Sequence, residues 1–353
     1  MKILGIESSC DETAAAVVED GHRLLSNAIA TSMDLHIKYG GVVPEVAARS
    51  HIEFALPVVK QALEEAGCSW DDIDGIAVTY GAGLSGSLLV GVMTARSLAI
   101  TKNKPLYAVN HVEGHVYSNF LTSTALPGYV LPAEQPKFPL LALIVSGGHS
   151  QLALFRDHFD YTLLGQTHDD AVGEAFDKVA KILGLPYPGG PSLSKKALDG
   201  DPLAYTFPKA KMPGKYDFSF SGPKTAVLRT IQEVCGKDYT FPSFKLAELL
   251  SEQQKADVAA SFQRIAIETV VDKAIMAFNE FNPAGVVIAG GVAASPELRK
   301  QLAERLPCPI NYTDPKLCTD NGAMIATLGC FMAMNNRPVA DPYSLGIEPN
   351  LSM

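Results

Sequence analysis

Two stretches of this 353-residue chain begin in the same way, and that doubling limits the folds open to it. Residues 2–28, KILGIESSCDETAAAVVEDGHRLLSNA, read as strand, polar turn, strand, Asp20-Gly21 hairpin, strand. Residues 140–166, LLALIVSGGHSQLALFRDHFDYTLLGQ, repeat the plan with a Ser-Gly-Gly turn and a polar turn at Arg156-Asp157. Each stretch then passes into helix-period sequence. Three strands joined by tight turns, met twice, predict two related α/β halves with a cleft between them.

The helices that follow are marked by their ends. PEVAARSHIEFALPVVKQALEEAG opens on Pro44 and stops at Gly67. TDNGAMIATLGCFMA predicts a last helix behind a capping Thr or Asp. The expected organisation is an N-terminal half over 1–118, completed by the helix near 321–353. A Pro-rich linker at 119–138 precedes a second half over 139–320, with a Gly/Pro/Lys-rich insertion near 184–224.

Composition sets outer limits. At 47% apolar and 19% charged residues the chain can bury substantial cores, and no apolar run is long enough to span a bilayer. Six scattered cysteines with no C-x-x-C read as reduced thiols of a cytoplasmic protein. A net charge of −9 argues against nucleic acid until its distribution is considered. Lys178–Arg229 holds nine Lys/Arg against three acids, so this window is +6 and the remainder −15. Such an island can hold a phosphate backbone or be an ordinary solvated surface, and charge alone weights the two equally.

Three glycine turns follow apolar strands: Gly81-Ala82-Gly83, Ser146-Gly147-Gly148 and Gly290-Gly291. Turns of this kind bare backbone N–H groups where no side chain blocks a phosphate. None fits a P-loop or G-x-G-x-x-G, so singly each is weak evidence for a nucleotide.

The segment NHVEGHVYSN places His111 and His115 four apart, stacked on one face of a helix. In an H-E-x-x-H protease the general base follows the first histidine directly. Here the glutamate is Glu113, about 200° around the helix from His111, and Val112 stands at the base's position. The ligand pair survives and the peptidase machinery does not. A metal needs a further ligand, which the neighbouring sequence does not offer.

Taken together, GIESSCDET, GGVVPEVAARSH, NHVEGH, IVSGGHSQL, GEAFDKVAKILGLPYPGGPSL, FSFSGPKTAV, AGGVAAS and CTDNGAMIA occur in an order that resembles the tRNA adenosine threonylcarbamoyltransferases. This family was long misassigned as sialoglycoprotein endopeptidases. The likeness runs from Met1 to about Gly329. It implies the two-domain actin-like ATPase fold of sugar kinases and heat-shock chaperones, an α/β class with duplicated RNase H-like cores and a central cleft. It also implies transfer of a threonylcarbamoyl group from threonylcarbamoyl-AMP to N6 of the adenosine 3′ of the anticodon, in tRNAs that read codons beginning with A.

By the same resemblance His111, His115 and Asp320 hold one divalent metal, iron first and zinc as the alternative, although local sequence makes Asp320 only a helix cap. Ile144, Val145, Ser146, Gly147, Gly148, Asp177 and Gly190 become substrate-binding positions. Ser295 is a further substrate-binding position, on the adenosine side, where the family commonly has asparagine and a shorter hydroxyl can still accept one hydrogen bond; Ser194 stands where some relatives carry aspartate. Asp11 and Glu12, in the first turn, are the candidates to receive the amine proton. The implied partners are tRNA, a smaller actin-like paralogue without the metal site, and a P-loop ATPase. The competing readings are a non-catalytic actin-like nucleotide switch, which would not require the metal site, and the disfavoured metallopeptidase.

Overall fold

A computed structural model describes residues 1–308 and 310–353. The chain folds as two compact units, Met1–Lys137 with Asn311–Met353, and Phe138–Ile310.

In the first unit β1 (Lys2–Glu7), β2 (Glu12–Glu19) and β3 (Arg23–Thr31) form an antiparallel meander. The hairpin between β2 and β3 turns on Asp20 and Gly21, both at positive φ (52° and 68°), which Asp-Gly tolerates better than other pairs. The short α1 (Met33–Ile37) leads into α2 (Pro44–Ala66). Pro at the first turn and Gly67 at φ 62° bound α2, as the sequence predicts. Then come β4 (Gly75–Gly81), α3 (Ser85–Lys102), β5 (Leu106–Asn110) and α4 (His111–Tyr117). The segment expected as a linker carries β6 (Ser123–Thr124), paired with β3. The sheet order is β5-β4-β1-β2-β3-β6.

The second unit repeats the plan with β7 (Leu140–Val145), β8 (Ser150–Asp157) and β9 (Asp160–Gln166). The second hairpin turns at His158-Phe159, two residues beyond the expected place, because β8 continues through Arg156 and Asp157. Four helices follow: α5 (Val172–Ile182), α6 (Gly189–Ala197), α7 (Ser221–Val234) and the 30-residue α8 (Glu252–Phe281). The region 184–224, read as an insertion, contains α6, which packs on α5 and α8. β10 (Gly285–Ala289), α9 (Pro296–Arg305) and β11 (Ile310–Tyr312) complete a sheet of order β11-β10-β7-β8-β9. Numbered within each unit and leaving aside the two-residue β6 beyond β3, both sheets run 3-2-1-4-5 from the meander's outer strand, the duplication foreseen from the paired beginnings. This is the actin-like ATPase fold.

The chain ends in the first unit. α10 (Gly322–Met334) lies on β1, β2 and β4 and against α4. It approaches so closely that a Cβ at Gly322 would stand 2.5 Å from the Ala15 carbonyl carbon. Its cap is Asn321, whose side chain accepts from the Met324 N–H at 3.0 Å, and not Asp320 or Thr319. Residues 341–353 then run back along the unit. Arg96 on α3 donates to three of their carbonyls, Pro342 (2.6 Å), Tyr343 (2.6 Å) and Leu345 (3.1 Å). Further on, Glu348 N–H donates to Tyr80 O and Asn110 Nδ2 to Ser352 O. Among the described residues no helix is long and apolar enough to cross a membrane.

Candidate metal centre and substrate turn

α4 has only seven residues, too few to stand alone, and it is nucleated from outside. The Asn110 side chain accepts from the N–H groups of Val112 (2.8 Å) and Glu113 (3.3 Å), satisfying two of its orphan donors. On the face so fixed, the rings of His111 and His115 meet edge to face, with centroids 4.8 Å apart and planes at 77°. α10 brings Asp320 to the same place: its Oδ1 lies 3.2 Å from His115 Nε2 and 3.6 Å from His111 Nε2. Among the described residues these three form the group whose ligand atoms converge, all within 4.8 Å. His115 is 1% exposed, and neither of its ring nitrogens has a hydrogen-bond partner of good geometry. A buried imidazole left this way is costly. Two imidazoles and a carboxylate are donors suited to iron or zinc, and an ion between them would satisfy the stranded nitrogen.

Behind the centre lies a residue that sequence reasoning passed over. Glu7, at the end of the fully buried β1, places Oε2 3.2 Å from His111 Nδ1 and accepts from Thr79 Oγ1 at 2.5 Å. A carboxylate closing the apolar buried run Ile3–Ile6 was the signal available in the sequence. Burial works against the Glu7 charge, yet the His111 charge and hydrogen bond win and hold its carboxyl below the usual range. Burial likewise opposes the His111 charge, but Glu7 and Asp320 push its pKa up to about 9.

Asp11 and Glu12 stand at the mouth of β2. Their turn is pinned by Ser32, which donates to Asp11 O, and by His51, which bridges Cys10 O (3.0 Å) and Thr13 Oγ1 (2.7 Å). Burial, then the charges of Asp320 and Asp11, push Glu12 up to about 10. At neutral pH it therefore holds its proton, the wrong state for a base, unless a cation offsets Asp320. Glu113 is buried outside the converging group. Burial pushes it to about 7 against the charge of Arg337.

The Gly81–Gly83 turn is occupied by the chain itself. Gly83 N–H donates to Pro349 O at 3.1 Å, and a Cβ at Gly81 would collide with Glu348 O. It has no room for a phosphate.

In the second unit Ile144 and Val145 are buried and committed to the β7–β8 ladder, so the open surface begins after them. Ser146 closes the next turn, its N–H donating to His149 O (2.8 Å) and its Oγ accepting from His149 N–H (3.1 Å). Gly147 and Gly148 are exposed, and a Cβ on either would meet nothing within 4 Å. Their N–H groups are the donors left for a ligand. The first turn of α5 seals the other side: a Cβ at Gly173 would stand 2.6 Å from Ser146 O. One turn along the same helix face, Asp177 accepts from Gly189 N–H at 2.7 Å, with the open Gly190 beside it. Ser295 caps α9, accepting from Leu298 N–H at 3.4 Å, and so has a structural task.

The basic island is mostly neutralised in space. Lys178 and Lys224 pair with Asp170, Lys196 with Glu252, Lys209 with Glu268 and Asp272, and Lys215 with Glu280. The window count missed these acids because α8, which supplies four of them, lies outside it. Lys181, Lys195, Lys211 and Arg229 remain exposed and without an ion pair among the described residues.

Fold and site together define an actin-like protein carrying a histidine–carboxylate centre in one unit and an open glycine turn in the other. Structures of HypF share the fold. The full-length protein in its phosphate- and nucleotide-bound form has a TM-score of 0.56 at 13% identity over 94% of this chain and 46% of that one. HypF of T. kodakarensis has 0.57 at 14% identity, over 95% and 48%. The family model of tRNA N6-adenosine threonylcarbamoyltransferase matches residues 23–327. A tRNA N6-adenosine threonylcarbamoyltransferase of Thermomicrobium roseum is 50% identical, over 100% of this chain and 97% of the relative. One of Desulfitobacterium hafniense is 49% identical, over 100% and 98%. The chain belongs to the tRNA N6-adenosine threonylcarbamoyltransferase family.

Proposed function

We propose that this enzyme transfers the threonylcarbamoyl group of threonylcarbamoyl-AMP to N6 of the adenosine 3′ of the anticodon in tRNAs reading codons that begin with A. The observation that carries the reading is full-length identity near 50% to transferases so named. His111, His115 and Asp320 would hold a divalent ion, iron or zinc, and the buried His115 Nε2, which faces Asp320 without a well-formed hydrogen bond, supports this. When bound, the ion would supply Lewis acidity for polarising the anhydride.

The chain's own groups do the rest. An aromatic amine is a weak nucleophile and AMP a good leaving group, so positioning supplies much of the acceleration. Gly147 and Gly148 would offer N–H groups to phosphate or carbamoyl oxygens, and the Asp177 carboxylate, which already accepts from Gly189 N–H, would take ribose or threonyl donors. Asp11 and Glu12 would take the proton that leaves N6, once charge in the centre lets Glu12 ionise. Six free thiols suit the reducing cytoplasm.

The test supplies unmodified tRNA, threonylcarbamoyl-AMP and divalent metal, with the paralogue and P-loop ATPase that the family resemblance implies. Nucleosides are then analysed by mass spectrometry. Modified adenosine should appear and should disappear with a chelator. No modified adenosine in the complete mixture would overturn the proposal.

A further inference from the structure

The cations that ion pairing leaves free are not spread evenly over the second unit. Two of them, Lys181 in the last turn of α5 and Arg229 on α7, sit on the helices that pack against the 3-10 helix Ser243–Glu248. The loop leading into that helix, Gly236–Pro242, interleaves lysine with aromatic residues. Tyr239 is 89% exposed and Phe244 71% exposed, far more than rings of that size usually are in a monomer surface. Lys237 Nζ lies 5.1 Å from the Phe241 ring centroid, and Lys245 Nζ 5.9 Å from that of Phe244.

The loop is a built structure. Asp238 accepts from both the N–H (2.9 Å) and the hydroxyl (2.6 Å) of Thr240, which fixes the turn at whose tip Tyr239 stands. Buried Leu246 anchors the 3-10 helix. Beside it, a Cβ at Gly184, just past the end of α5, would stand 2.8 Å from that of Ala247. Three exposed acids, Glu233, Asp238 and Glu248, accompany four exposed cations, Lys181, Arg229, Lys237 and Lys245, so the surface keeps a positive balance. α5 also relates the loop to the glycine turn. The helix begins against Ser146 and has eleven residues, so the loop lies roughly 16 Å from the turn, within the width of one RNA stem.

We propose that this loop is a docking surface for tRNA beyond the modified nucleotide. Unpaired bases stack on Tyr239 and Phe244, while Lys181, Arg229, Lys237 and Lys245 contact phosphates. Exposed rings on a hydrogen-bonded turn, among cations without ion pairs, offer what single-stranded RNA requires, since every base has a stacking face and every linkage a charge. A protein face without a matching set of acids would leave these cations without counterparts. The inference rests on the tRNA-modifying reading given above.

The test measures binding of a fluorescent, unmodified tRNA transcript to the full chain by anisotropy across a salt series. A variant carrying Tyr239→Ala and Phe244→Ala should bind at least about tenfold more weakly with an unchanged salt slope. One carrying Lys237→Glu and Lys245→Glu should lose roughly 1.5 from that slope. Both should keep wild-type melting temperature and wild-type affinity for a non-hydrolysable adenylate analogue, because the substituted side chains are exposed and lie away from the glycine turn. If both bind tRNA within twofold of wild type, with the same slope, the surface lies elsewhere and the proposal falls. If wild type itself fails to bind tRNA while binding the adenylate, the transferase reading falls, and this inference with it.

Discussion

Glu7 Oε2 stands 3.2 Å from His111 Nδ1, inside a strand end closed to solvent. That contact turns the other ring nitrogen toward Asp320, so one buried carboxylate orients the first histidine of the centre. Glu7→Gln keeps the shape and removes the charge. Metal affinity should fall about 10- to 100-fold, read by competition with a chromogenic chelator. Wild-type affinity would reduce Glu7 to a structural hydrogen-bonding group.

The same pair sets a pH dependence. In the metal-free protein His111 titrates at about 9 against 6.5 in an unstructured chain. Its raised value stabilises the fold fully below pH 6.5, and that stability is lost as pH rises through 9. An imidazole must shed its proton to ligate, so metal uptake should release a proton across this window and tighten as pH increases. Calorimetry in buffers of different ionisation enthalpy reads the release directly. Uptake without proton release near pH 7.5 would contradict the assignment.

Asp320 and its neighbour separate metal binding from helix capping. Asn321→Ala removes the α10 cap and should cost about 1 kcal/mol of stability. Asp320→Ala should lose the metal while its metal-free melting temperature stays near that of wild type. Metal analysis and melting on the same preparations decide the matter. An Asp320→Ala protein with full metal content would refute its role as a ligand.

Gly173→Ala places a methyl 2.6 Å from Ser146 O, a backbone atom that cannot swing aside. The turn must shift, at about 1–3 kcal/mol of stability. Affinity for an adenylate analogue should drop, with metal content unchanged because the centre belongs to the other unit. A variant with wild-type nucleotide affinity would show that this turn does not hold the ligand.

Peptides and glycoproteins should not be cleaved, since Glu113 is buried outside the group formed by His111, His115 and Asp320. Cleavage that persists through repurification and vanishes in His111→Ala would restore the peptidase reading.

Features with a short period were readable in advance. The two meanders follow from alternation of apolar runs with turn residues, and α2 from Pro44 and Gly67, because the chemistry is local. The spacing of His111 and His115 encodes one helix face for the same reason. Asp320 is 205 positions from His115, and only the return of α10 across the sheet brings them together; no local pattern carries that, and family resemblance alone suggested it. Counting charge along the chain failed for a related reason. Lys209 lies among lysines in sequence but beside Glu268 and Asp272 in space. The Gly81–Gly83 turn has the composition of a phosphate loop, and nothing nearby in sequence announces that residues 348–349 fill it.

Arg96 spends its guanidinium on the main-chain carbonyls of Pro342, Tyr343 and Leu345. A clamp that grips only backbone does not read side chains. Across descendants of this sequence the residues at those three positions can therefore drift while the path of residues 342–345 stays the same, and position 96 carries that stretch while backbone bonds to Tyr80 and Gly83 hold the residues after it. Lysine there would offer one small cation where a planar fork now spans three oxygens. A single substitution more than two hundred residues away would thus loosen a stretch whose own sequence had not changed.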